Sequence, residues 1–255
     1  MPYGTIKIGD SSLSGYLLTR VTIPDTVTTI GSNALSDNLL EELIIPYSVK
    51  TIEDFAFSSN RLTNLIIPSS VSTIGNFAFC DNPLSSLTLS NGLKIIGDRA
   101  FSNTELTNIV IPDSVSSIGN YAFDYNLIND ITISDKNPYF KIDNNILLTK
   151  DNKTVVALIG RHESITIPEG VTTINDFALS DYGLKSVILP DSLTTIGYAA
   201  FSSNLLKSIT IPSNVTTIGN GAFTANDLNE IIIQGDSNRF NDLWEIIGFP
   251  IELKP

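Results

Sequence analysis

One phrase repeated at a fixed interval of 22 residues constrains this chain more than any other feature of it. It begins at Val21-Thr22-Ile23-Pro24, passes through Val27-x-x-Ile30-Gly31 and Ala34-Leu35, and starts again; its proline returns at Pro46, Pro68, Pro112, Pro168, Pro190 and Pro212, with Ser90 and Ser134 at two intervening steps. A unit so short cannot bury its own apolar face. Repeats with a period in the twenties are stable only when each copy stacks on its neighbours, so the 255 residues are expected to form a solenoid of about ten copies.

Alignment on the proline shows which positions the architecture demands. An apolar column at Leu18, Leu40, Leu62, Leu84 and Leu106 is followed three residues later by Val21, Leu43, Leu65, Leu87 and Ile109, and two after that by Ile23, Ile45, Ile67, Leu89 and Ile111. The apolar-x-apolar pair, rich in β-branched residues, predicts a short strand with one face inward in every copy, ended by the proline. Val27, Val49 and Val71 lead to Ile30, Ile52 and Ile74, a second short extended segment. Glycine usually follows, which implies either a positive φ or a tight backbone approach; Glu53 and Asn175 interrupt that column, and a sharper distortion is expected at Glu53. Next come pairs such as Ala56-Phe57, Ala78-Phe79 and Ala100-Phe101, read as one turn of helix pressed on the stack. Asn38, Asn60, Asn82, Asn126, Asn204 and Asn226 close the unit, with Thr104 and Tyr182 as exceptions. Such an Asn caps the turn or bonds the backbone of the adjacent coil, with a metal or ligand role as the alternative.

The phrase Ile-Pro-x-Ser-Val-x-x-Ile-Gly-x-x-Ala-Phe, at Ile67 to Phe79 and Ile111 to Phe123, resembles the leucine-rich repeats of the BspA type, over roughly residues 17 to 233. The resemblance implies a leucine-rich-repeat-like, right-handed, β-rich repeat solenoid. It further implies a surface-attached or secreted protein with no catalysis in its repeats, associated with adhesion and protein–protein binding.

The chain is read as a single solenoid over 1–255. Residues 1–16 form a degenerate half-repeat or cap, since Ile8-Gly9 and Leu13 precede Ile30-Gly31 and Leu35 by 22. Residues 17–233 carry the repeats, and 234–255 form a C-terminal cap around Phe240, Trp244 and Phe249, because an open solenoid end exposes core and strand edges. From Ser134 to Pro168 the spacing is 34, so a segment near 135–161 is inserted. Its apolar runs at 145–149 and 154–158 flank the polar Lys150–Lys153, which predicts a β-hairpin that projects from the stack or replaces one helical turn.

Candidates for chemistry are few. His162 is the single histidine, and it falls where the first apolar column resumes after the insertion, so it is read as structural rather than as part of a triad with Ser164. With one Cys and no G-x-S-x-G or H-E-x-x-H string, neither nucleophilic nor zinc catalysis has its parts, and no catalytic, cofactor or metal residue is assigned. The carboxylates Glu41 and Glu42, and the Asp143-Asn144-Asn145 and Asp151-Asn152 groups, could offer oxygen ligands to a hard cation, but none has a loop spacing that demands one. An excess of 27 acidic over 15 basic residues, net −12, disfavours nucleic acid and anionic lipid as partners, and no run of 18 apolar residues suggests membrane insertion.

What remains is surface. The positions between the two inward residues of the main strand include Ile44, Ile66, Val110, Ile188 and Ile232, with Thr in the other copies. An exposed aliphatic stripe on a sheet suggests a binding face, although β-propensity alone also selects these residues. The adjoining column, with Glu42, Asn64, Asn108 and Asp130, is small and polar. These nine residues are the candidate contacts for a protein or glycan partner. The alternative reading is a structural spacer within a larger surface protein.

Overall fold

The structure, a computed structural model, describes residues 2, 4–236, 238 and 240–254. It divides into two compact units, residues 1–139 and 140–255. The first contains ten strands: β1 (Lys7–Ile8), β2 (Thr29–Ile30), β3 (Thr51–Ile52), β4 (Asn64–Ile67), β5 (Thr73–Ile74), β6 (Ser86–Leu89), β7 (Ile95–Ile96), β8 (Asn108–Ile111), β9 (Ser117–Ile118) and β10 (Asp130–Ile133). The second contains β11 (Phe140–Asp143), β12 (Ile146–Thr149), β13 (Thr154–Leu158), β14 (Ser164–Thr166), β15 (Thr173–Ile174), β16 (Ser186–Ile188), β17 (Thr195–Ile196), β18 (Ser208–Ile211), β19 (Thr217–Ile218) and β20 (Glu230–Ile233). Each unit is a β-solenoid whose coils pair in parallel at the repeat distance, as Ile30 with Ile52 and Ile174 with Ile196.

The continuous sheet of the first unit is not the one the longer apolar phrase predicts. It is built from the two-residue segments, in the order β1-β2-β3-β5-β7-β9. The longer strands pair only two at a time, β4 with β6 and β8 with β10, and residues 20–23 and 42–45 are not strand at all. The proline explains this. In a parallel ladder the N–H just beyond the later strand closes the last bond, and Pro has no N–H to give. Four-residue ladders form where that residue is Ser90, Ser134 or Gln234; Ser90 N–H reaches Ile67 O at 3.2 Å and Gln234 N–H reaches Ile211 O at 3.0 Å. Where Pro190 follows, only three residues of β14 and β16 pair, and where Pro46, Pro68, Pro112 or Pro212 follows, no ladder to the preceding coil forms.

The expected helical turn is also replaced. In the coil at 53–59, Ala56 N–H bonds Glu53 O and Ser58 N–H bonds Phe55 O within the coil, while Phe55, Phe57 and Ser59 donate to Asn76, Cys80 and Ala78 carbonyls of the next coil, Phe57 to Ala78 and Ser59 to Cys80. A helix would send every N–H along its own axis. Alternation instead needs left-handed backbone at Phe55 and Ser59, with φ of 57° and 53°, and gives two tight turns bonded to the neighbouring coil. The alanine and phenylalanine still point inward. Ala56, Phe57, Ala78, Phe79, Ala100 and Phe101 are fully buried, and rings 57, 79 and 101 stack at 5.3 and 5.5 Å between centroids.

The glycine column serves close approach rather than positive φ: a Cβ at Gly75 would lie 2.6 Å from Asp54 N. Glu53 brings no distortion, since its N–H bonds Ile30 O at 2.9 Å as Gly75 N–H bonds Ile52 O at 2.8 Å. Its carboxylate instead accepts from Ser32 N–H at 3.1 Å. In neighbouring coils that accepting role belongs to Asp or Asn, as when Asn76 N–H donates to Asp54 Oδ1 at 2.7 Å.

The insertion neither projects nor replaces a helical turn. Its hairpin, β12 and β13, is extended by β11 through a tight turn at Asn144 and Asn145, both with positive φ. Strand β13 then pairs in parallel with β15, Val155 beside Ile174, so the meander supplies the edge of the six-stranded sheet of the second unit. Burying Ile146, Leu147, Leu148, Val155 and Leu158 holds it there. In the C-terminal segment the Ile246 and Ile247 carbonyls accept from Gly221 and Phe223 N–H as a further coil would, and Trp244, Ile247 and Phe249 are buried. At the other end β1 pairs with β2 at the 22-residue register, Ile8 beside Ile30.

Candidate functional site

Alternation along the main strand places one side chain inward and the next outward. In the first unit Leu65 and Ile67 are buried while Ile66 between them is 66 % exposed; Ile44 is 84 % and Val110 61 % exposed. Glu42, Asn64, Asn108 and Asp130 lie exposed beside them on the same face. The second unit presents Ile188 and Ile232 in the same way. All nine sequence-derived contact residues are therefore on the surface. Within the ladders each aliphatic pairs with a threonine, Ile66 with Thr88 and Val110 with Thr132, so the stripe alternates in polarity along part of its length. Asn64 and Asn108 donate from Nδ2 to the Thr63 and Thr107 hydroxyls at 3.1 and 3.3 Å.

The asparagine column is architectural. Asn60 is buried; its Oδ1 accepts Leu40 N–H at 3.1 Å and its Nδ2 donates to Leu35 O at 2.9 Å, Phe57 O at 3.1 Å and Ser58 O at 3.2 Å. Those partners lie in its own coil and the one before. His162 is half-buried, with Nε2 against Ile159 O at 2.8 Å. The Asp143-Asn144-Asn145 group is the β11–β12 turn, and Asp151 is held below the usual carboxylate range by the Thr149 hydroxyl and Lys153 N–H. Among the described residues no group of three or more His, Cys, Asp or Glu is arranged to hold a metal ion.

A second surface escaped the sequence reading. On the turn face of the first unit Phe55 and Phe77 stack at 4.6 Å, and the Arg99 guanidinium lies over both Phe77 and Tyr121 rings at 5.7 and 4.8 Å. These four share one column, yet its other members include Ser11 and Asn33, so repeat alignment shows no pattern there.

The sequence profile of the BspA type leucine rich repeat region matches in six copies over residues 6–129 and 159–243. The chain belongs to this family. The interval its profile skips contains the β11–β13 meander. As a BspA-type repeat protein it resembles a leucine rich cell surface protein from Faecalibacterium prausnitzii, with 27 % identity and a TM-score of 0.63 over 96 % of this chain and 86 % of that one. It resembles a leucine-rich repeat protein from Eubacterium ventriosum at 26 % identity and 0.64, over 74 % of this chain and 59 % of that one. It shares the fold of the pneumococcal vaccine antigen PcpA, at 24 % identity and 0.76 over 91 % of this chain and 68 % of that one. No curated protein sequence matches it. Among the described residues no helix is long and apolar enough to cross a membrane.

Proposed function

We propose that the chain is a non-catalytic protein-binding or adhesion module of a cell-surface or secreted protein, and that it meets its partner along the exposed face of the main strands. The observation carrying this is the exposure of Ile44, Ile66 and Val110, each more than three-fifths uncovered on one face of one unit. Folding gains little from apolar side chains left in water, whereas a partner that covers them gains the transfer free energy. The flanking Glu42, Asn64, Asn108 and Asp130 supply hydrogen bonding at the rim of such a contact. The description of the similar Faecalibacterium prausnitzii protein as a cell surface protein supports the location. The threonines that pair with Ile66 and Val110 favour the second reading, a structural spacer whose strand face merely follows β-propensity.

The test uses the intact chain with Ile44→Thr, Ile66→Thr and Val110→Thr combined, against a partner captured with the wild-type chain. Affinity should fall by about tenfold or more for each well-covered site lost. An unchanged dissociation constant for the triple variant would remove the strand face from the interface and leave the spacer reading.

A further inference from the structure

The turn face of the first unit carries an open depression of about 330 Å³ lined by Phe77, Cys80, Asp81, Arg99, Asn103 and Tyr125. All of these but Cys80 come from two left-handed columns of adjacent coils. Phe77 and Arg99 have φ of 56° and 52°, and Asp81, Asn103 and Tyr125 have 56°, 53° and 51°. Bulky side chains are uncommon in that region, and elsewhere the same columns hold small residues, such as Ser59, Ala199, Ser203 and Gly221, as well as large ones, such as Phe55 and Phe177. The left-handed backbone recurs from coil to coil; what sets this hollow apart is that large side chains from three adjacent coils converge on it.

The chemistry narrows the ligand. The Arg99 guanidinium is clamped between the Phe77 and Tyr121 rings. Arg99 takes part in none of the ion pairs found among the described residues. A fixed, unpaired guanidinium presents two parallel donors to a planar carboxylate. Asn103 Nδ2 donates to Asp81 Oδ1 at 2.7 Å, which sets an acceptor and an amide carbonyl side by side at the rim, suited to hydroxyls. Tyr125 is 62 % exposed and offers a ring face to the C–H side of a sugar. Asp81 in the same hollow repels each added negative charge, so a carboxylate monoanion is favoured there over a phosphate dianion. We infer that this depression binds a carboxylated sugar, its carboxylate on Arg99, its hydroxyls on Asp81 and Asn103, and its ring against Tyr125. The volume, at the small end of ligand pockets, admits one sugar residue of a glycan whose remainder runs into solvent.

N-acetylneuraminic acid, glucuronic acid, their methyl esters and N-acetylglucosamine are titrated into the full chain, with the Arg99 Nε–H and Tyr125 amide signals followed by NMR. At least one free acid should shift both signals saturably, with its ester and the neutral sugar weaker by roughly tenfold or more. Arg99→Gln should weaken the acid similarly, and so should Arg99→Lys, which keeps the charge and loses the fork. Thr88→Ala, on the strand face, should bind as the wild type does. No saturable shift with either acid, equal affinity for acid and ester, or full affinity in a folded Arg99→Gln variant would each overturn the assignment. Should that variant lose its native spectrum, the acid–ester comparison on the wild-type chain decides.

Discussion

Asn60 binds four backbone groups from two coils, and its role was legible because the same residue type recurs at the same step of the phrase. Thr104 shows the local cost of departure: its hydroxyl still reaches Phe101 O, but Leu84 N–H, left without an amide oxygen, turns to the carbonyl of Asn82. Asn60→Thr should therefore cost about 1–3 kcal/mol, the penalty of one unsatisfied buried group. Asn60→Asp, of the same shape, faces a carboxylate to the three carbonyls that Nδ2 now serves, and should cost more than about 3 kcal/mol at neutral pH. Denaturant melts of the two variants check the order, and an aspartate variant as stable as the threonine one would contradict it. Burial, reinforced by Asp81, pushes the Cys80 thiol up to about 12. Since the thiolate is the nucleophile, Cys80 should react only slowly with iodoacetamide at neutral pH in the folded chain; fast stoichiometric labelling of the native chain would refute that placement. The Arg99 column was not legible, because its type changes from coil to coil and only the structure shows those residues touching.

Elements were legible in kind and less so in pairing. The hairpin runs at 145–149 and 154–158 were visible as apolar segments about a polar turn, and β12 and β13 follow them closely. Strand β11 was not, since Phe140–Asp143 alternates apolar and polar over only four residues and is fixed by its antiparallel partner. The Ala-Phe segment reads as helix because a small residue beside a large one fits a turn pressed on the stack; bonds to the next coil impose positive φ instead at Phe55, Phe77 and Arg99. Proline was recognised as a strand end, but its effect on pairing depends on which neighbour would have received the missing N–H. Ser90→Pro should remove the bond to Ile67 O and open the β4–β6 ladder. The lost hydrogen bond, about 0.5–1.5 kcal/mol, is offset by about 0.4–1 kcal/mol of reduced unfolded-chain entropy, so stability should change by less than about 1 kcal/mol. Amide exchange at the β4–β6 ladder should nevertheless quicken. A ladder that keeps its protection after the substitution would show that the N–H at position 90 is not what holds it.

Within each unit of the molecule the coils are bonded chiefly to their immediate neighbours, as the 20-, 22- and 25-residue separations of the side-chain bonds show. Residues common to the copies serve that stacking, while the strand face and turn face carry what varies. The central claim is that the aliphatic side chains on the outer strand face contribute little to folding and are therefore available to a partner. Two triple variants of the first unit test it by a shift of one residue along each extended segment. Ile44→Thr, Ile66→Thr and Val110→Thr change the outer face; Ile45→Thr, Ile67→Thr and Ile111→Thr place hydroxyls among side chains that are buried. Equilibrium denaturant unfolding should leave the outer variant within about 1 kcal/mol of the parent and cost the inner one more than about 5 kcal/mol, from lost packing and unpaired hydroxyls together. Comparable losses in the two variants would mean that the outer stripe is covered within the folded chain, and the account of it as a free binding face would be wrong.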